Sequence, residues 1–422
     1  MVLTYIWLTY LMILLLVKQI IGKQQMNTIS TNADQTARTK HGIILILAAV
    51  MPVMAIISLV PVLPLLLQEF ASVKGYEFLV PIAMTIPALC VALFSPVAGW
   101  ISDKAGRKSV LFYALLIYAI IGLLPYFLTD LIHIIASRVL LGIAEAAIMT
   151  VATALIADYF KGKVRERWVA IQIASVSLSA IVLIAIGGLL GEFLGSRGPF
   201  LLYLLALPIA LFVRVILFEP RSIMPINDVS VPSLPWLRIL PLLLTTLFVG
   251  VIFYTVIVKL GEILALTSPV TPAIIGGIGA GANIGVALGS LLFRRFKGAS
   301  GPTLISIGLL LAAFGFCGAA LSGTLALSSI SVVVACLGFG LLLPTMLTWV
   351  LKELPENVRG RGTGLWTGCF FLGQFSAPIL VAALQSQMGG LSNVLMMLAV
   401  LSLVGVIIAV LKKKGAESLI SH

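Results

Sequence analysis

Charge is what this chain has least of. Only 10% of its 422 residues are Asp, Glu, Lys or Arg, while 60% are hydrophobic. Soluble domains carry about a quarter charged residues, so the scarcity excludes a soluble globule and marks an integral membrane protein. Acids are scarcer still, 15 against 27 bases, for a net charge of +12. In a soluble protein that excess would suggest nucleic acid. Here the bases crowd short connections between apolar runs, where they orient a chain in a bilayer, and no nucleic-acid partner is expected. The four cysteines, Cys90, Cys317, Cys336 and Cys369, stand singly inside apolar runs and only three histidines occur. Neither a disulfide, a metal site nor a cofactor is expected from so sparse a set. There is no H-E-x-x-H, no nucleophile–base pair at a useful spacing and no G-x-x-x-x-G-K-[ST] loop, which argues against an enzyme or an ATP-driven pump.

What the chain has in abundance is uninterrupted apolar sequence. Twelve runs reach spanning length. The first six cover about Ile43–Leu67, Phe78–Ile101, Val110–Leu128, Leu131–Ala157, Val169–Leu190 and Phe200–Phe218. The second six cover about Ile239–Val258, Pro272–Phe293, Thr303–Leu321, Ala326–Leu351, Thr363–Leu384 and Val394–Leu411. A proline-rich polar linker, residues 220–238, separates a six-span bundle over 42–219 from another over 239–411, with cytoplasmic tails at 1–41 and 412–422. Met1–Val17 is apolar but short for a span, and Met26 opens a polar segment of the kind that precedes a first helix. Met26 is taken as the start, with an extra N-terminal span as the alternative. Of the 27 bases, 23 fall on connections assigned to one face, three (Lys74, Arg197, Lys259) on the other, and Arg138 within a span. That bias places both tails in the cytoplasm and the chain, multi-pass, in the inner membrane.

The connection after the second run reads Gly99-Trp-Ile-Ser-Asp103-Lys-Ala-Gly106-Arg107-Lys108. Acid, bases and both glycines resemble, in spacing, the signature loop between helices two and three of the major facilitator superfamily of transporters. The resemblance covers about Ile43–Leu411. It implies an all-α membrane protein of twelve helices in two six-helix bundles, working by alternating access around a central cavity. It also implies a conformational latch. Gly99 would allow close helix approach, Asp103 would face the helix beginning near Gly362 and Thr363, and Arg107 would pair with Asp158 at the end of span four. Pro355–Gly364 resembles the family's loop into helix eleven. Gly289–Lys297, between spans eight and nine, echoes the signature with Phe293 in the place of the acid, as parallel halves would leave behind.

Span four holds the two ionisable side chains placed within the hydrocarbon, Arg138 and Glu145, which is costly unless function or pairing offsets it. Seven residues at about 100° each bring them to one face. Arg138-Val-Leu-Leu-Gly142 resembles the R-x-x-x-G element of proton-coupled family members; Glu145 has no counterpart there. Glu145 and Arg138 are the proton-coupling candidates, and the competing reading is an acid that merely neutralises Arg138. In span five Gly187 and Gly191 partly match the antiporter element G-x-x-x-G-P, without its proline. Gly195–Phe200 resembles the family's G-x-R-x-P-F turn. Gly277, Gly281, Gly285 and Gly289 free one face of span eight for helix contact. Asn283, Gln374 and Tyr254 are candidates for the substrate cavity, an interhelical hydrogen bond being the alternative for the first two. Pro61, Pro64, Pro87, Pro96, Pro344 and Pro378 are expected to kink their helices. The expected activity is proton-coupled export of a small organic or amphipathic solute by a monomer. Import or facilitation of a small metabolite is the alternative, and a non-transporting sensor or membrane enzyme the rival class.

Overall fold

The computed structural model describes residues 37–220, 235–296, 300–354 and 359–420, among which there is no β-strand. The expectations for Met1–Val17, Met26, the interior of the linker and the loop at 355–358 lie outside the described residues. Two compact units form, one built on residues 37–72 and 83–220, the other on residues 73–82 and those from 235 onward.

In the first unit α1 (Thr39–Ile57) gives way to a 3-10 turn at Val60–Val62 and then α2 (Leu63–Glu69). Pro61 and Pro64 sit in the first turns of these elements, where a missing N–H costs nothing, so they break the first span into pieces instead of kinking it. Next come α3 (Tyr76–Ala105), α4 (Arg107–Leu123) with a 3-10 turn at Leu124–Tyr126, and α5 (Leu131–Tyr159). Asp130 caps α5, accepting the N–H groups of His133 at 3.0 Å and Ile132 at 2.9 Å. These bonds, led by that from His133, hold its carboxyl below the usual range. Then follow α6 (Gly162–Leu194), a 3-10 segment (Gly195–Leu205) and α7 (Ala206–Ile216).

Helical backbone runs unbroken from Gly162 to Ile216, 55 residues. At 1.5 Å per residue an α-helix of that length would approach ~80 Å, more than twice the ~30 Å hydrocarbon thickness. It cannot be one crossing. Gly195 ends α6 with φ 72°, a left-handed conformation that favours glycine. Gly198 then lies so close to α6 that a Cβ there would stand 2.4 Å from the Leu190 carbonyl oxygen. The stretch therefore makes two crossings, which with the ten other apolar helices gives twelve. Span six starts later than Phe200 as a regular helix, because the 3-10 segment persists to Leu205.

The second unit comprises α8 (Trp236–Val258), the short α9 (Leu260–Ala265), α10 (Pro272–Arg295), α11 (Gly301–Leu321), α12 (Leu325–Glu353), α13 (Arg359–Met388) and α14 (Leu391–Ile420). Lys259, in the connection between spans seven and eight, joins α8 to α9 and is only 4% exposed, its Nζ 2.6 Å from Glu262 Oε1.

Hydrophobicity does not drive helices together in lipid, so contact rests on close packing. Glycines supply it between α10 and α12. A Cβ at Gly289 would lie 2.1 Å from the Leu337 carbonyl oxygen, and one at Gly340 would lie 2.0 Å from that of Val286. Gly285 approaches Val333 in the same way. The glycine stripe of α10 is thus used over half its length: around Gly277 nothing lies within 4 Å. Gly289→Ala should therefore destabilise the protein by about 1–3 kcal/mol, since backbone cannot yield to the new methyl, while Gly277→Ala leaves stability unchanged. Thermal unfolding of the two purified variants in detergent checks the contrast; equal melting temperatures would contradict it.

Candidate functional site

Proline has no N–H, so Pro87, inside α3, leaves the carbonyl of Ala83 without its helical donor. At the end of α1 a second carbonyl is freed: Ser58 N–H turns to Met54 and Leu59 N–H to Ile56, passing over Ala55. Arg138 of α5 serves both. Its Nε donates to the Ala83 oxygen at 3.2 Å, its Nη2 to the Ala55 oxygen, and its Nη1 to Tyr203 Oη at 2.6 Å. The guanidinium also lies over the Tyr203 ring, 5.5 Å from its centroid. Arg138 is 1% exposed. One turn further on, a Cβ at Gly142 would meet Pro87 Cα at 2.6 Å, so glycine is what lets α5 lie directly against the proline. The R-x-x-x-G spacing on α5 thereby matches the Ala83–Pro87 spacing on α3.

Glu145, two turns beyond Arg138 on α5, is 3% exposed. Its carboxyl has no hydrogen bond and no ion pair among the described residues, and its charge is felt by Arg138, Cys90, Tyr118 and Tyr203. The Tyr118 hydroxyl donates instead to the Met51 carbonyl at 2.5 Å. Arg138 and Glu145 thus share a buried polar region without touching, the arginine being engaged by backbone.

At the other end of α5 the signature loop forms an ion-pair cluster. Arg107 donates to Asp103 Oδ1 through Nη2 at 2.9 Å and Nε at 3.3 Å, and to Asp158 Oδ2 through Nη1. The Asp103 side chain is 62% exposed and those of Arg107 and Asp158 27%. An ion pair so hydrated contributes about 0–1 kcal/mol and is readily broken. Gly106 takes φ 91°, which requires glycine, and a carboxylate that sequence reasoning missed lies against it. Glu219 accepts the Lys108 N–H at 3.1 and 3.3 Å, and a Cβ on Gly106 would stand 2.9 Å from Glu219 Oε2. Its only sequence signal was an acid directly before Pro220, at the exit of span six. Gly99 is different: a Cβ there would find only Thr150 Cγ2, at an ordinary 3.6 Å, so packing within this unit does not demand glycine.

A second arginine clamp, also unforeseen, closes the opposite end. Arg197 donates to Glu69 through Nε at 3.1 Å and, through Nη1, to the Pro125 and Leu128 carbonyls, while Ser196 Oγ donates to Glu69 at 2.6 Å. The G-x-R-x-P-F turn is thus a staple for the first unit's helix ends.

In the second unit the three cavity candidates do not come together through hydrogen bonds. Asn283 Nδ2 donates to the Gly279 carbonyl of its own helix at 2.9 Å, so it makes no interhelical bond by that donor. Gln374 is 2% exposed and its Oε1 has no partner. Tyr254 packs its ring 5.6 Å from that of Phe370, one turn before Gln374 on α13. Trp366 stacks on the same ring at 6.1 Å, with its own Nε1 buried and unpartnered. Gly187 of the first unit, read as part of an antiporter element, serves helix packing, since a Cβ there would lie 2.2 Å from the Ser58 carbonyl oxygen.

The tetracycline resistance protein, class H, of Pasteurella multocida is 31% identical over 180 residues, 43% of this chain and 44% of that protein. The bacillibactin exporter of Bacillus subtilis (strain 168) is 33% identical over 109 residues, 25% of this chain and 26% of that protein. The matched segments span less than half the length of these relatives. A solved bacterial homolog to the human lysosomal transporter Spinster, inward-facing and occupied, superposes with a TM-score of 0.69 over 86% of this chain and 94% of that one. Their identity is 18%, so this likeness speaks for the fold alone. A family model described as Major Facilitator Superfamily matches residues 45–378, most of the chain. Twelve crossings, the signature loop with its ion pairs and that match together establish that the protein belongs to the Major Facilitator Superfamily of membrane transporters.

Proposed function

We propose that the protein exports a small organic or amphipathic solute across the inner membrane in exchange for protons, with Glu145 as the group that takes up and releases the proton. One observation carries the reading. Glu145 is buried within a membrane-spanning helix and, among the described residues, makes no hydrogen bond or ion pair, although a guanidinium lies on the same helix. An intramembrane acid is expensive to keep and marks a functional site by default. A carboxylate placed so is one that a proton, or the cationic group of a substrate, neutralises in turn. The acid thus supplies a competition between proton and solute, which is the minimum that exchange requires. Export as the direction draws support from relatives whose names are those of a resistance protein and an exporter.

Coupling further requires that the protein change state only in step with its load. The cluster of Asp103, Arg107 and Asp158 suits a latch that opens in each cycle, since hydrated pairs are weak enough to break. Gly106 shapes the loop, Gly99 is assigned to close helix approach at the latch, and Tyr254, Asn283 and Gln374 are assigned to the solute. The N- and C-terminal tails lie in the cytoplasm on this reading, and the protein works as a monomer.

Three outcomes follow from these assignments. Glu145→Gln keeps the side-chain shape but holds no titratable proton, so it should abolish uphill, proton-driven movement while downhill exchange persists. Proteoliposomes with and without a pH gradient, with tetracycline as the first probe and membrane insertion checked beforehand, read this. A Gln variant that still accumulates solute against its gradient would place the coupling group elsewhere. Arg107→Ala should move the resting protein towards the inward-open state with little loss of expression; a cysteine introduced at the outer mouth would then react at a changed rate, and an unchanged rate would remove the latch. Cysteines placed at Asn32 and Lys413 should both resist an impermeant thiol reagent in intact cells, and opposite accessibility would overturn the topology.

A further inference from the structure

We propose that Pro87 is a positioning residue for the coupling acid: by freeing the Ala83 carbonyl it keeps Arg138 bound to backbone and so apart from Glu145. This rests on reading Glu145 as the proton site. Three facts in the first unit support it. The Ala83 carbonyl has lost its helical donor to Pro87 and receives Arg138 Nε at 3.2 Å in its place. Gly142 brings α5 so close to Pro87 that no side chain would fit between them. The remaining arms of the guanidinium are taken by the Ala55 carbonyl and by Tyr203 Oη, the latter at 2.6 Å.

Every arm of the arginine therefore has an acceptor other than Glu145. In hydrocarbon an orphaned carbonyl has no water to turn to, so the Ala83 oxygen competes for Arg138 at full strength. The groups that sense Glu145 are Arg138 on its own helix, Cys90 of α3, Tyr118 of α4 and Tyr203 of the 3-10 segment. Of these only Arg138 carries a positive charge. Whether Glu145 has a counter-ion is then decided by whether the backbone holds the arginine. An N–H at position 87 would give Ala83 an intrahelical donor and release Nε. The guanidinium, seven residues from Glu145 on one helix face, would then be held by Ala55 and Tyr203 alone; with one of its three anchors gone it would turn towards Glu145, and the acid would be balanced by a fixed charge in place of a proton.

The test uses the full chain in lipid vesicles and needs no transported solute. A double-mutant cycle on melting temperature comes first. Arg138→Lys and Arg138→Gln should each lower the melting temperature in the parent, and lower it by at most half as much in a Pro87→Ala background, where Ala83 no longer depends on the arginine. Equal losses in both backgrounds would show that Pro87 does not position Arg138, and overturn the proposal. Infrared difference spectra with pH then follow the C=O stretch of protonated Glu145, assigned by its disappearance in Glu145→Gln. In Pro87→Ala that band should require more acidic conditions than in the parent, by about one pH unit or more, the size of effect that a newly adjacent opposite charge produces. A coupled cycle with an unmoved band would also overturn the proposal, because Arg138, once released, would not have reached the acid. A parent with no Glu145 band at any pH would instead defeat the proton-site reading itself, and the cycle, which is independent of titration, tells the two failures apart. Pro87→Ser, which also restores the N–H, serves if the alanine variant does not accumulate.

Discussion

A backbone carbonyl within a bilayer must find its donor inside the protein, and the first unit is organised around the places where its helices fail to provide one. Helices fail where proline removes an N–H or where an α-helix tightens into a 3-10 turn. Arg138 answers two such failures, at Ala83 and Ala55, and Arg197 answers two more, at Pro125 and Leu128. Each arginine thereby ties together helices distant in sequence, with Tyr203 or Glu69 accepting what remains of the guanidinium. An arginine suits this role better than a lysine because its donors are fixed in a planar fork and can meet several carbonyls at once.

Charges in the unit divide by how easily they could be undone. Arg138 is 1% exposed and hydrogen-bonded by each arm, and leaving a buried donor of this kind without its acceptor costs about 1–3 kcal/mol. Arg107 and Asp158 retain 27% of their side-chain surface in contact with solvent, where a pair contributes about 0–1 kcal/mol. A transport cycle repeated many times favours change at the second kind of site. On the proposed reading the signature loop would hold the moving parts and Arg138 the fixed frame, within which Glu145 would change its charge.

Much of this was legible in the sequence, and the limits have physical causes. Arg107 and Asp158 were paired correctly because a signature motif fixes both their spacing and their end of the helices. Twelve spans were countable because hydrocarbon thickness sets run length, and Glu192, Ser196 and Arg197 mark the gap between the fifth and sixth even though helical backbone, in part 3-10, runs through it. Glu219 and Glu69 escaped notice because a lone acid at a helix end carries no pattern; each is recognisable only by its partner in space. Asn283 Nδ2 bonds locally, to the Gly279 carbonyl of its own helix, as short polar side chains do, a contact that the spacing of polar residues in the span does not reveal. The most readable missed signal was Pro87. A proline inside a helix always orphans the carbonyl four residues before it, so the sequence already declared that Ala83 needed a donor, without saying which.

The two units meet the bilayer constraint by different means. In the second, glycine removes side chains so that backbone meets backbone at Gly289, Gly340, Gly250 and Gly373, with Cβ positions only 2.0–2.9 Å from facing carbonyl oxygens. No buried arginine joins its described helices; its buried cation, Lys259, is paired with Glu262 three residues on. Buried polar atoms left without partners among its described residues are Gln374 Oε1 and Trp366 Nε1, two turns apart on α13 with Phe370 between them, and Ser328 Oγ on α12. An unpaired donor or acceptor in an apolar interior raises the energy of the state that contains it, so a state that supplied partners would be favoured by that amount. Trp168 Nε1 and Ser175 Oγ are groups of the same kind in the first unit, so each unit keeps hydrogen bonds unmade, and what distinguishes the first among the described residues is its pair of arginine clamps, at Arg138 and Arg197.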